Sequence, residues 1–249
     1  MSEDIRRSLA KEEPMITLRV AALQIALVRI PPGEFMMGSP PNEEGHGRNE
    51  EPQRRVRISQ GFYLGKYQIT LAEYDEVMGN TPRDGAEHLL PVSQITYENA
   101  IEFCARLSTA AKLKISLPTE AQWEYACRAG TETRYYSGDT EPDLARVGWY
   151  SKNSEGKTHQ VGGKQPNAWG LYDMHGNVWE FCADFIEDYA TMPDIDPIGA
   201  ITPRHGAMRG GGWMHDAEEC RSATRLISDD MFGGAGLRIA LKISEQSLN

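Results

Sequence analysis

The chain is poor in the residues from which most metal and redox sites are built. Four cysteines, Cys104, Cys127, Cys182 and Cys220, are scattered through 249 residues. No two stand at C-x-x-C spacing, so neither a zinc knuckle nor a dithiol redox centre is written in the sequence. Thiols this sparse read as reduced, buried small hydrophobes of a cytoplasmic protein. Long apolar runs are also missing. The most apolar early stretch, VAALQIALV, is too short to span a bilayer, and the start MSEDIRRSLAKEEPM lacks the apolar centre of a signal peptide. Positive charge is scarce, with 26 Lys and Arg against 36 Asp and Glu, a formal charge of −10. A basic face for nucleic acid or for an anionic membrane is therefore not expected. Divalent cations and basic partners suit this balance.

What is abundant is punctuation. Twenty-four glycines and fourteen prolines predict many turns. Residues 1–14 read as a frayed segment or a short helix. ITLRVAALQIALVRIPPGEFMMGS reads as strands broken at Pro31-Pro32-Gly33, and SPPNEEGHGRNEEPQRR as an exposed loop. VRISQGFYLGKYQIT reads as a hairpin turning at Gly61. Three helices are marked. Thr70 and Glu73 form a capping box ahead of LAEYDEVMG, with Gly79 at its end. Thr96 precedes YENAIEFCARLSTAAKL, in which Ile101, Cys104, Leu107 and Ala111 share one face. Thr119 and Gln122 cap EAQWEYACRAG, which follows Pro118 and stops at Gly130. Beyond Gly130 no helical pattern returns, only short aromatic and glycine-punctuated segments. The sum is an α+β chain of one domain.

Six segments then occur in a telling order: FMMGS, LPTEAQWEYACRAG, PNAWGLYDMHGNVWEFCADF, MRGGGW, CRSATR and GLRIAL. With them the chain resembles the formylglycine-generating enzyme (sulfatase-modifying factor) family over nearly its whole length. The resemblance implies a C-type-lectin-like fold with little regular secondary structure. It sets a domain over 25–243, an N-terminal segment 1–24 and a tail 244–249. It implies several possible functions. Some members oxidise a sulfatase cysteine with copper held by a cysteine pair, some are parts of iron enzymes, and some are lectin-like binding proteins. Fold alone does not choose among them.

In DMHGNVWE, Asp173 and Glu180 are hard oxygen donors, and Gly176 lets the backbone turn so that carbonyls can add to them. The resemblance implies a structural calcium ion held by the side chains of Asp173 and Glu180 and the backbone oxygens of Gly176 and Val178. The alternative is that Asp173 caps a turn and Glu180 bonds to backbone donors. His175, a poor calcium ligand, reads as a turn or surface residue.

RGGGWMHDAEEC departs from the copper oxidases. Aligned through RGGGW, Gly212 stands at their serine and His215 at their first cysteine, and Cys220 falls at the second only if no gap intervenes. Copper(I) prefers two soft thiolates, so copper is not expected here. The chain is then a non-copper member acting as a binding module for a protein or small-molecule ligand, with Trp213, His215, Asp216 and Trp149 as candidate contacts. Asp216, Glu218, Glu219, Asp229 and Asp230 would form an acidic rim for a basic partner. The competing reading is a metal-dependent oxidase that converts a protein cysteine to formylglycine or oxidises a small molecule. Trp123 and Trp179 read as core. Where the resemblance puts cysteine partners for Cys104 and Cys127, this chain has Ile239 and Ser222, which agrees with reduced thiols.

Overall fold

The computed structural model describes residues 3–81, 85–199, 206–228 and 235–242. Asp229 and Asp230 of the expected rim, His205 and the tail 244–249 lie outside them. Helix α1 (Glu3–Ala10) leads into β1 (Met15–Val20) and β2 (Leu23–Ile30), which pair antiparallel. β3 (Gly33–Met37) pairs with β4 (Arg54–Ile58), while β5 (Phe62–Gly65) pairs with β2 instead. The expected hairpin across Gly61 is therefore corrected: its two arms belong to different sheets. The alternation in VRISQGFYLG reports that both arms are half-buried strands, but not which neighbour each one takes.

Helices α2 (Leu71–Met78), α3 (Tyr97–Ala111) and α4 (Glu120–Arg128) sit where their capping boxes put them, and each box is closed on both sides. A side-chain oxygen at the cap and a partner three residues on satisfy amides that would otherwise lack acceptors. On α3 the buried face is Ala100, Phe103, Cys104, Leu107 and Ala111; Ile101 is 42% exposed and drops out of it. One further α-helix, α5 (Glu141–Val147), corrects the expectation that none follows Gly130. It carries the same signals in a shorter compass: a Thr140–Asp143 box and Pro142 in its first turn.

The remaining strands are β6 (Ile115–Ser116), β7 (Trp179–Phe185), β8 (Gly206–Arg209), β9 (Leu226–Ser228), β10 (Ala235–Leu237) and β11 (Ala240–Lys242). One sheet runs β1-β2-β5-β11-β6 and a second β10-β7-β8-β9. Arg238 and Ile239 link β10 of the second sheet to β11 of the first. Among the described residues no helix is long and apolar enough to cross a membrane.

Every residue of helix α4 but Gln122 is buried, Glu120, Glu124 and Arg128 included. A helix in that position must have its charges paired. Arg209 donates to Glu120 Oε1 at 2.9 Å and to Glu124 Oε2 at 2.7 Å, and Arg225 grips Glu120 through both carboxylate oxygens at 2.7 and 2.6 Å. Arg128 closes the chain of pairs on Glu124 at 2.9 Å. The 39–55 segment is largely the exposed loop expected, but Ser39 and Glu50 within it are buried. Glu50 is buried and holds Arg221 by two bonds of 2.9 and 2.6 Å, while Glu44 reaches Arg134 at 2.9 Å. Its polar composition serves exposure along most of the segment and buried ion pairing at Glu50.

Candidate functional site

The segment 173–180 folds as a tight loop under α4. Asp173 and Asn177 adopt left-handed backbone angles, and Gly176 does so at φ 77°. A Cβ on Gly176 would stand 2.1 Å from the carbonyl oxygen of Trp149. Gly176→Ala is expected to cost about 2 kcal/mol of unfolding free energy, from the positive φ and the forced shift of that strand-like contact. Urea denaturation with the far-ultraviolet signal as the readout measures it.

The loop's oxygens converge. One atom, the side-chain amide nitrogen of Gln68, lies 2.9 Å from the Val178 carbonyl oxygen, 3.3 Å from that of Asp173 and 3.4 Å from that of Gly176. It also lies 3.0 Å from Glu180 Oε1. Glu180 is fully buried and takes further bonds from Trp123 Nε1 at 2.8 Å and from Arg238 at 3.0 and 2.9 Å. Asp173 is 1% exposed; its Oδ2 accepts from the Gly162 amide at 2.7 Å, and its Oδ1 has no partner among the described residues. Burial pushes the Asp173 carboxyl up to about 6, against the Gly162 bond and Arg238, which pull it down. Three carbonyls and a carboxylate that converge, with an orphaned buried carboxylate oxygen on the same loop, are hard oxygen donors of the kind calcium takes.

His175 corrects its expected place. It is fully buried, with Nδ1 bonded to the Cys220 carbonyl at 2.7 Å and Nε2 accepting from the Tyr136 amide at 3.1 Å. It ties the loop to the segment around Cys220, a role that no local pattern marks for a lone histidine between Met and Gly.

The 209–221 segment wraps over the same loop. The Trp213 amide donates to Asn177 O at 2.8 Å, and Asn177 in turn donates to Trp149 O at 2.8 Å. The Ser154 hydroxyl holds Trp213 O at 2.7 Å, and Ser151 takes both the His215 carbonyl, at 2.9 Å, and Asp216 Oδ1, at 2.7 Å. So Trp213, His215, Asp216 and Trp149 are brought together through Asn177 and Ser151. Their availability differs. Trp213 is half-buried and Asp216 exposed. His215 turns inward: Nε2 accepts from Trp179 Nε1 at 3.4 Å, and Nδ1 is buried without a partner among the described residues. The Trp149 ring stacks on His159 at 3.8 Å and carries Lys164 Nζ 3.9 Å from its centre. Trp123 and Trp179 are in the core as expected.

Beside Asp216 opens a groove of about 560 Å³. Glu44, Asp139, Glu141, Asp216 and Glu218 line it against Arg134 and Lys152. Both cations are already paired, Arg134 with Glu44 and Lys152 with Glu141 at 2.7 Å. The uncompensated charge facing the groove is therefore negative. Sequence reading found Asp216 and Glu218 but missed Glu44, Asp139 and Glu141. They come from separate segments, and no local signal marks an acidic residue as lining a groove.

All four cysteines are buried free thiols. Cys220 is packed beneath Gly211, where a Cβ would stand 2.5 Å from its sulfur. Burial drives its thiol far above the ordinary range, and it holds Cys127 up at about 12. The Ser222 hydroxyl lies beside Cys127, at the position where the resemblance implied a cysteine. Among the described residues no three His, Cys, Asp or Glu side chains gather as metal ligands. A cysteine-pair copper does not fit these residues: one thiol is enclosed, and the position expected for the other is an imidazole.

Residues 19–243 match the family described as Sulfatase-modifying factor enzyme 1-like domain. The chain is 28% identical to the chaperone protein LppX of Paenibacillus barcinonensis, over 61% of this chain and 69% of that protein. It is 35% identical to the formylglycine-generating enzyme of Streptomyces coelicolor over 50% of this chain, and spans only 46% of the enzyme's length. Among solved structures it is similar to Treponema denticola variable protein 1, with a TM-score of 0.79 and 25% identity, over 92% of this chain and 99% of that one. With most of its length so matched, the chain belongs to the sulfatase-modifying factor family and has the α+β fold of the formylglycine-generating enzymes.

Proposed function

We propose that this chain is a member of the family without copper-oxidase chemistry, a binding module whose rigid scaffold presents the 209–221 segment and the neighbouring acidic groove to a protein or small-molecule ligand. The observation that carries the reading is the enclosure of Cys220 under Gly211, with His215 in place of a second thiol. A thiolate nucleophile or copper ligand needs access and a thiol that ionises near neutral pH; Cys220 has neither. The groove's carboxylates favour a cationic ligand, through charge complementarity more than through contact area. Family relatives whose names are a chaperone and a variable protein are compatible with a module that binds without turnover. The buried, reduced thiols suit a cytoplasmic location.

A structural calcium ion belongs to this reading. Asp173, Glu180 and the carbonyls of Gly176 and Val178 would hold it, and the charge it supplies would tie the 173–180 loop to α4 and β10. The module's scaffold, not any reaction, is what the ion would serve.

The test supplies cuprous ion, oxygen and a peptide with the Cys-x-Pro-x-Arg sulfatase motif, and follows the cysteine by mass spectrometry. The expected result is no aldehyde. Aldehyde that forms with this chain and disappears in Cys220→Ser would establish the oxidase in its place.

A further inference from the structure

We propose that Gln68 is itself a ligand of the calcium ion, its amide oxygen facing the cradle alongside the oxygens of Asp173, Gly176, Val178 and Glu180. The inference rests on the calcium reading above and extends it to a residue 105 positions before the nearest member of the loop.

Gln68 lies between β5 and α2 and is 1% exposed. Its inward amide atom has four oxygen neighbours at 2.9, 3.0, 3.3 and 3.4 Å. As a nitrogen, that atom has two hydrogens for four acceptors. The other amide atom, Oε1, is buried with no partner among the described residues. A half-turn of the amide exchanges the two atoms with almost no change of shape. An oxygen would then stand among four oxygens, an arrangement that is repulsive unless a cation lies between them.

With calcium present the spacing is the ordinary one. Ligands 2.3–2.6 Å from the ion, in octahedral or pentagonal-bipyramidal array, stand roughly 2.7–3.7 Å from their neighbours, and all four observed separations fall in that range. Asp173 Oδ1 is a further buried oxygen in want of a partner. Charge also agrees. Asp173 and Glu180 are two anions against the one Arg238 guanidinium, and an amide oxygen adds the negative end of a strong dipole to them.

The experiment reads the ion, not a reaction. Terbium in the cradle is sensitised by Trp123, whose Nε1 is 2.8 Å from Glu180 Oε2. Displacement of terbium by calcium gives the affinity, and luminescence lifetimes in light and heavy water count the waters on the ion. Wild type, Gln68→Met, Gln68→Ala and Gln68→Glu are compared. If Gln68 is a ligand, wild type binds. The Met and Ala variants then lose at least tenfold in calcium affinity, and the Ala variant gains one water on the ion. The Glu variant keeps the wild-type water count and binds calcium at least tenfold tighter than wild type, which decides the test should the other two not fold; a Glu variant that binds no tighter overturns the proposal in that case.

If the Met and Ala variants bind as tightly as wild type with the same water count, Gln68 is not a ligand although the calcium reading stands. Calcium binding gained by Gln68→Ala and absent from wild type means that the amide nitrogen occupies the ion's place, which also overturns the proposal. Silence from all four chains overturns the calcium reading and this inference together.

Discussion

Glu120→Ala is expected to remove about 5 kcal/mol of stability, enough to leave most of the protein unfolded or insoluble. Glu120 is fully buried at the start of α4 and answers two guanidiniums, those of Arg209 and Arg225. Burial by itself would push its carboxyl up, but Arg225 and Arg209 outweigh that and hold it below the ordinary value. Removing the carboxylate leaves Arg225 without an anion, its remaining partners being the backbone oxygens of Asn49 and Glu187 and the face of the Tyr189 ring, 4.0 Å away. Arg209 retains Glu124 and Tyr189. Breaking one member of a buried pair costs about 3–5 kcal/mol, and here two arginines depend on one anion. Glu120→Gln, which keeps two polar atoms in place, is expected to cost about half as much. The comparison is Glu102→Ala on α3, whose pair with Arg106 is half-exposed on both sides and contributes less than about 1 kcal/mol. Chemical denaturation of the three variants at one pH orders them. A Glu120→Ala protein no weaker than Glu102→Ala would show that the α4 network does not hold the fold.

Asp184→Asn is expected to do the reverse at high pH, raising stability by about 3 kcal/mol at pH 8 and leaving it unchanged near pH 4. Asp184 is 1% exposed in β7; its Oδ2 accepts from the Gly199 amide at 3.0 Å, and Oδ1 has no partner among the described residues. Burial, and after it the negative charge of Glu120, pushes its carboxyl up to about 7 against the Gly199 bond and Arg225. The folded chain thus keeps a proton that the unfolded chain releases near pH 4. Between those two values the native state binds more protons, so stability falls as pH rises from about 4 to about 7, and the loss is complete above. Asparagine is nearly the shape of the protonated acid and cannot ionise. Unfolding curves of both proteins from pH 4 to pH 8 should diverge steadily with pH. Parallel curves, or an asparagine variant that is weaker at pH 8, would mean that Asp184 is ionised and satisfied in the fold.

The sequence was legible where the signal is short. The capping boxes at Thr70, Thr96 and Thr119 mark α2, α3 and α4 because a cap is a bond between residues three apart. The box at Thr140 is written in the same terms, and α5 was missed only because seven residues are too few to show a period. Helical spacing places Ile101 on the inner face of α3 although it is exposed, since spacing admits more positions than the packing against β1 and α2 uses. The turn that gathers oxygens at 173–180 could be anticipated from DMHGNVWE, while the approach of Gln68 to it could not: a glutamine in YQIT looks the same whether it faces water or a cradle.

The chain's sequence by itself determined its helix starts, its left-handed turn at Gly176, its shortage of spaced thiols and its negative charge. These depend on bonds and conformations within a few residues, and on simple counts. Only the tertiary structure decided which charges are spent on one another, which thiols are sealed, and what meets at the oxygen cradle. Those outcomes join residues as far apart as Glu50 and Arg221 or Gln68 and Glu180. An ion pair or a buried sulfur has no energy of its own until packing sets its distance and removes its water.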